Sequence, residues 1–460
     1  MNSRRCALGV GCLLGLSALA NAASERQLTF APQNHTLDNN DNFSPDDRWL
    51  AYDLREDDTA IAGNAVIARV EIGTGKTVEL YRESPARPWG PGVGAANVNP
   101  IDGRVAFIRG LTGATEARPY AMWRRSGAVV NPDKPGAIAF LDARDSVAPF
   151  TPGALRGGTH RHEWSGDGKW IGFTYNDALL ADIEATTGQK VNLRTVGVAT
   201  RIGSGPVHVS PGPENHDGEM FAAVAVRVVP EPHPGSDEIS RAFEDAWVGR
   251  DGYRRADGIW QRRARAFLGT VRTADGRELT EVFIVDIPGR IDVPGDSGPL
   301  EGTATTMPQP PRGAAQRRLT FTAARNYPGV VLEPRHWVRS SPDGTRIVFL
   351  AQDDAGLVQA FLVSPLGGEI AQVTRASTPV QSCVRWSPDG ASLLYVTDGS
   401  VAVCDARPES ATFGQARALT APTAQLPENA VWSHDGKTIA FNRRVLTEDR
   451  LRQQIFLVTP

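Results

Sequence analysis

The strongest constraint in this sequence is a phrase it repeats. Trp386-Ser387-Pro388-Asp389-Gly390 returns 46 residues later as Trp432-Ser433-His434-Asp435-Gly436, and Ser341-Pro342-Asp343-Gly344 precedes it at the same spacing. Each copy reads as a short strand, a tight turn and a second strand. Gly and Asp take the turn dihedrals that bulkier residues resist, and the Trp-Ile-Gly-Phe type of run that follows has the make-up of a half-buried strand. The fullest copy is Thr159–Thr174. Others stand at Asn42–Asp47, at Asn97–Gly103 and, with a stretched turn ending His216-Asp217-Gly218, at Val207–Pro211, which makes seven.

A third strand follows in several copies (Val66–Val70, Ala360–Val363, Val401–Cys404, Gln454–Val458), and a fourth ends in Leu-Thr, as at Leu319-Thr320 and Leu419-Thr420. Periods of this length indicate propellers or solenoids, and four antiparallel strands per repeat make a propeller blade. The expectation is an all-β, seven-bladed β-propeller. The seventh repeat stops after its third strand, while Arg26-Gln27-Leu28-Thr29-Phe30 reads as a fourth strand standing alone. The N-terminal strand is therefore expected to close the ring on blade seven and remove an exposed sheet edge.

Between Ser210 and Ser341 the rhythm breaks for 131 residues. Here Phe221–Val229 reads as blade four's second strand, and Ser236 as the N-cap of a helix ended by Gly249. Ile239, Ala242, Phe243, Ala246 and Trp247 would share one face of that helix. The basic run Arg250–Arg265 reads as a salt-bridged surface. Strands Phe267–Val271 and Glu281–Ile287 and the linker Pro288–Gly313 complete the interval. The domain expectation is one propeller over residues 23–460, with 231–316 as a helical insertion and linker in blade four.

Residues 1–22 read as a signal peptide: Arg4 and Arg5, an apolar Cys6–Ala20, and cleavage after Ala20-Asn21-Ala22. That places the chain in the periplasm or outside the cell. Cys383 and Cys404 then remain, on strands one and three of one repeat, roughly 9–10 Å apart and beyond disulfide reach. A formal net charge of -3 gives no electrostatic case for nucleic acid. No membrane span is expected, and a monomer is.

The turns, with Trp before and Ile-Ala-Phe after, resemble the TolB-type propeller repeat. Leu155–His162 and Glu238–Trp247 resemble a family of secreted bacterial propellers without assigned function.

Strand one of each blade should line the channel, so the residues five before the turn serine should ring the mouth opposite the turns. They are Asn39, Gly94, His160, Gly205, His336, Ser382 and Glu428. His162 would share His160's strand face about 6.6 Å along, and His208 would stand on the next blade. Such an His-x-His pair can chelate a divalent cation (Mn, Ca or Zn), fill a core position, or line a polar site without metal. The pair also resembles the clustered histidines of oligogalacturonate lyases, propellers that hold a divalent metal. The resemblance implies His160 and His162 as metal ligands, although Gly157 stands where those enzymes carry Gln. Gly295–Pro299 is discounted as a serine-protease loop. Two functions follow as expectations: a binding or scaffold propeller for a protein or oligosaccharide at the mouth, or a metal-dependent polysaccharide lyase or hydrolase.

Overall fold

A computed structural model describes residues 25–38, 41–57 and 59–460; the signal-peptide reading and Asn39 lie outside the described residues. Seven sheets surround one channel. Blade two, for example, comprises Val93–Val98, Val105–Gly110, Arg125–Val130 and Ile138–Phe140 in order from the inside out. Blade seven comprises Glu428–Trp432, Ile439–Thr447 and Arg450–Val458, and its outer strand is Arg26–Gln27. Arg26 pairs with Leu457 and Gln27 with Phe456. Leu28 continues the ladder onto Ile455 at 2.7 Å and is buried.

The repeated turn has a simple chemical reason. In blade six Ser387 Oγ donates to Asp389 at 2.5 Å and accepts from the Ser392 amide at 2.9 Å, while Asp389 accepts from the Ala391 amide. Gly390 holds φ 71, a left-handed conformation suited to glycine. Ser165 and Asp167 repeat the arrangement in blade three. Tryptophans at the turn ends of inner strands staple neighbouring blades: Trp386 Nε1 donates to Arg339 O at 3.0 Å and Trp247 Nε1 to Glu163 O at 2.9 Å.

Blade four differs from expectation. The segment read as a helix, Ile239–Trp247, is that blade's inner strand, followed by Ala264–Arg272, Glu278–Asp286 and Ala315–Arg318. A register shift between Phe243 and Ala246 resets the side-chain alternation, so apolar residues fall at spacings that imitate a helix. Residues 231–316 therefore carry the blade rather than an insertion. Val207–Pro211 is not an inner strand either. It lies in a long loop between Thr195–Thr200 and Phe221–Val224, both of blade three. The α-helix among the described residues is Ala178–Thr187, capped by Asp177, whose carboxylate accepts from the Leu179 and Leu180 amides, and ended by left-handed Gly188. It joins the second and third strands of blade three on the mouth side. Cys383 and Cys404 are both free thiols.

Because Arg26–Leu28 completes blade seven, a chain starting at Asn34 should melt well below one starting at Ala23. Equal melting temperatures by calorimetry would refute the closure.

Candidate functional site

Four inner strands carry a bulge at the same level. Ala95, Arg161, Glu244 and Asn429 hold φ between 49 and 60, each at a register shift. Left-handed non-glycine residues are costly and gather at functional sites, and bulges re-aim side chains. Arg161 of blade three reaches across the channel: its guanidinium donates to Asp38 O of blade one at 2.7 Å and stacks 3.2 Å from the Trp337 ring of blade five. Arg335 lies over the same ring at 4.7 Å and pairs with Glu244 at 3.1 Å.

One layer nearer the turns, Glu163 accepts from Arg265 at 2.5 Å and from Arg339 at 2.8 Å. Burial opposes ionisation of Glu163, but these two guanidinium groups outweigh it and hold its pKa below the ordinary carboxylate value. Arg385 pairs with Asp41 at 3.2 Å. The cavity at the turn end, about 380 Å³ and lined by Trp247, Arg339, Arg385 and Trp432 among others, therefore has most of its charge paired internally.

The mouth end differs. A cavity of about 620 Å³ is lined by Thr36, Arg335, Ser382, Glu428, Asn429 and Gln453, among others. A recess of about 190 Å³ beside it shares Arg335 with Arg241, Glu244 and His336.

The expected ring is partly brought together. Glu428 borders the larger cavity and accepts from Gln453 at 2.7 Å. His160 is half-buried. Burial, with Arg125, Arg194, Arg335 and Arg161 around it, pushes its pKa well below the ordinary histidine value. His336 is committed internally, since Nδ1 meets Pro334 O at 3.1 Å and Nε2 accepts from the Leu350 amide at 3.2 Å. Gly205 and His208 belong to the long blade-three loop, where His208 pairs with Asp217 at 2.6 Å; blade four's place in the ring is taken by Phe243 and Glu244. His162 is buried against blade two, with Nε2 2.9 Å from Thr159 Oγ1 and 3.9 Å from Asp142.

A metal does not fit the His160–His162 pair. The bulge at Arg161 breaks the alternation that would aim both rings one way. Among the described residues no group of three or more His, Cys, Asp or Glu could hold a metal ion. The arginines, by contrast, escaped the sequence reading. Arg125 opens a third strand, Arg194 precedes one and Arg335 precedes an inner strand, so the available signal was their shared place at strand ends opposite the turns.

The molecule is thus a seven-bladed propeller with an ion-paired channel and an arginine-rich mouth. By sequence the chain belongs to the family of the uncharacterized protein YidR of Escherichia coli (strain K12), to which it is 42% identical over 361 residues, 78% of this chain and 80% of that one. A family model described as "Protein of unknown function (DUF3748)" matches residues 92–218. Oligogalacturonate lyase from Vibrio parahaemolyticus superposes with a TM-score of 0.54 at 9% identity, over 96% of this chain and 94% of that one. An oligogalacturonate lyase in complex with manganese gives 0.50 at 11% identity with the same coverage. At such identities the likeness is one of fold.

Buried histidines set a pH dependence. Burial lowers His35 and His336 to about 4 and His162 and His216 to about 3, against about 6.5 when unfolded. Their contribution is present above about 6.5 and is lost as the pH falls towards 4, because the unfolded chain takes up the protons first. Asp142, raised by burial to about 7, works in the opposite sense over the same window. With His160 also lowered, five histidines outnumber the three carboxylates raised by burial, Asp53, Asp142 and Asp245, so the melting temperature should fall between pH 7 and 4.5, and Asp142→Asn should steepen the fall. A flat or rising profile would contradict this.

Proposed function

We propose that this chain is an exported binding propeller, periplasmic or secreted, that holds an oligosaccharide at the mouth of its channel. What supports the reading is the mouth-side cavity of about 620 Å³, which is concave, bordered by polar side chains such as Thr59, Gln381 and Glu428, and of a size suited to a small ligand. A stable protein partner would instead require roughly 800 Å² of complementary surface per side, centred on aromatic anchors. Most of the turn-end charges satisfy one another, so that end has less to offer a ligand. The metal-dependent lyase or hydrolase reading has a likeness of fold behind it but no donor set among the described residues.

An array of neutral and acidic oligosaccharides tests the proposal. The wild type should retain at least one. Filling the mouth rim with Thr59→Trp and Leu426→Trp should weaken that binding at least about tenfold. Ile101→Trp, at the turn end, should leave it unchanged. Retention of no oligosaccharide by the wild type, or loss only in Ile101→Trp, would overturn the reading.

A further inference from the structure

The arginines at the mouth are not all matched by a carboxylate. Arg161 pairs with Asp38 and Arg335 with Glu244. Three more arginines share this end and, among the described residues, have no carboxylate within ion-pair distance. Arg125 donates to the Tyr120 hydroxyl at 2.8 Å, and its Nε is buried without a partner. Arg194 likewise has a buried, unpartnered Nε. Arg241 lies over the Phe243 ring at 3.9 Å. The backbone holds the last two close, because the Ala242 amide donates to Arg194 O at 2.9 Å.

The cost of this arrangement is visible on Arg194. Burial, then repulsion from Arg125, Arg241 and Arg335, lowers its pKa to about 9, although Glu244 opposes the shift. Like charges brought together where burial limits screening are unfavourable unless an opposite charge joins them. Arginine's planar fork matches carboxylate, sulfate and phosphate oxygens. His160 stands among these arginines and is held neutral, so one ring N–H can donate to an oxyanion while adding no further charge.

We propose that the mouth is built around an oxyanion: a carboxylate, sulfate or phosphate group of the ligand, held by Arg125, Arg194 and Arg241 beside His160. The inference rests on the mouth being the oligosaccharide site and names the kind of saccharide, an acidic one.

Thermal melts at matched ionic strength test it with inorganic sulfate against chloride. Sulfate should raise the melting temperature of the wild type above chloride, and R194Q and R241Q should lose that increment. Without sulfate, R194Q should melt no lower than wild type, since the substitution relieves repulsion; an arginine with a purely structural role would lower it. Should R194Q fail to fold, R241Q decides alone, because Arg241 is exposed. The same increment in wild type and R241Q would overturn the proposal. Titrations with lactose, 3′-sulfolactose and inorganic sulfate separate the sources. Tighter binding of 3′-sulfolactose than of sulfate points to a sugar-borne anion, and equal binding to a free one. Lactose binding that the mouth-rim variant abolishes, with no sulfate effect, would leave the oligosaccharide reading standing and sink the oxyanion. A sulfate effect lost in R241Q, with no saccharide bound, would do the reverse.

Discussion

The charge at the centre of the ring constrains everything around it. Glu163 lies where blades three, four and five meet, and it is ionised because Arg265 of blade four and Arg339 of blade five both reach it. Arg265 also holds Asp245, and Trp247 donates its indole N–H to the Glu163 carbonyl. Removing one member of such a set strands a buried charge, which is far costlier than never having had the pair. These inner strands are therefore locked in their relative heights, and that lock aligns the bulges of blades three and four. Arg161 and Glu244 consequently face the same channel.

The fold was legible because its signal is local. Ser387, Asp389 and Gly390 satisfy one another within a few residues, so the same letters recur wherever the turn recurs. Blade four was illegible for the converse reason. Its inner strand leads through Gly249–Gly252 into an added hairpin, Tyr253–Arg254 with Trp260–Gln261, in place of a Ser-Pro-Asp-Gly turn. The bulge at Glu244 gave Ile239–Trp247 a helical spacing. Val207–Pro211 meanwhile carried the letters of an inner strand without a ladder to join. The count of seven survived because one false copy replaced one hidden blade.

The site was legible only in part. Counting back from the turns put His160 and Glu428 at the mouth, and Glu428 borders the larger cavity there. It could not show that His336 spends both ring nitrogens on the backbone, or that His162 turns towards blade two. The arginines come from strand ends and loops far apart in sequence, and only the closed ring assembles them. A chain of net charge -3 gives no hint from composition that one end of its channel gathers arginines without carboxylate partners among the described residues.

Two ends of one channel thus differ in kind: at the turn end most charges are neutralised across blades, and at the mouth three arginines wait beside a neutral histidine. Crystals grown at low ionic strength and soaked in selenate would compare them directly. The account predicts the strongest anomalous selenium peak at the mouth, within hydrogen-bond reach of Arg125 and Arg194. A vacant mouth with selenate bound at the turn end, between Arg250 and Arg385, would contradict it.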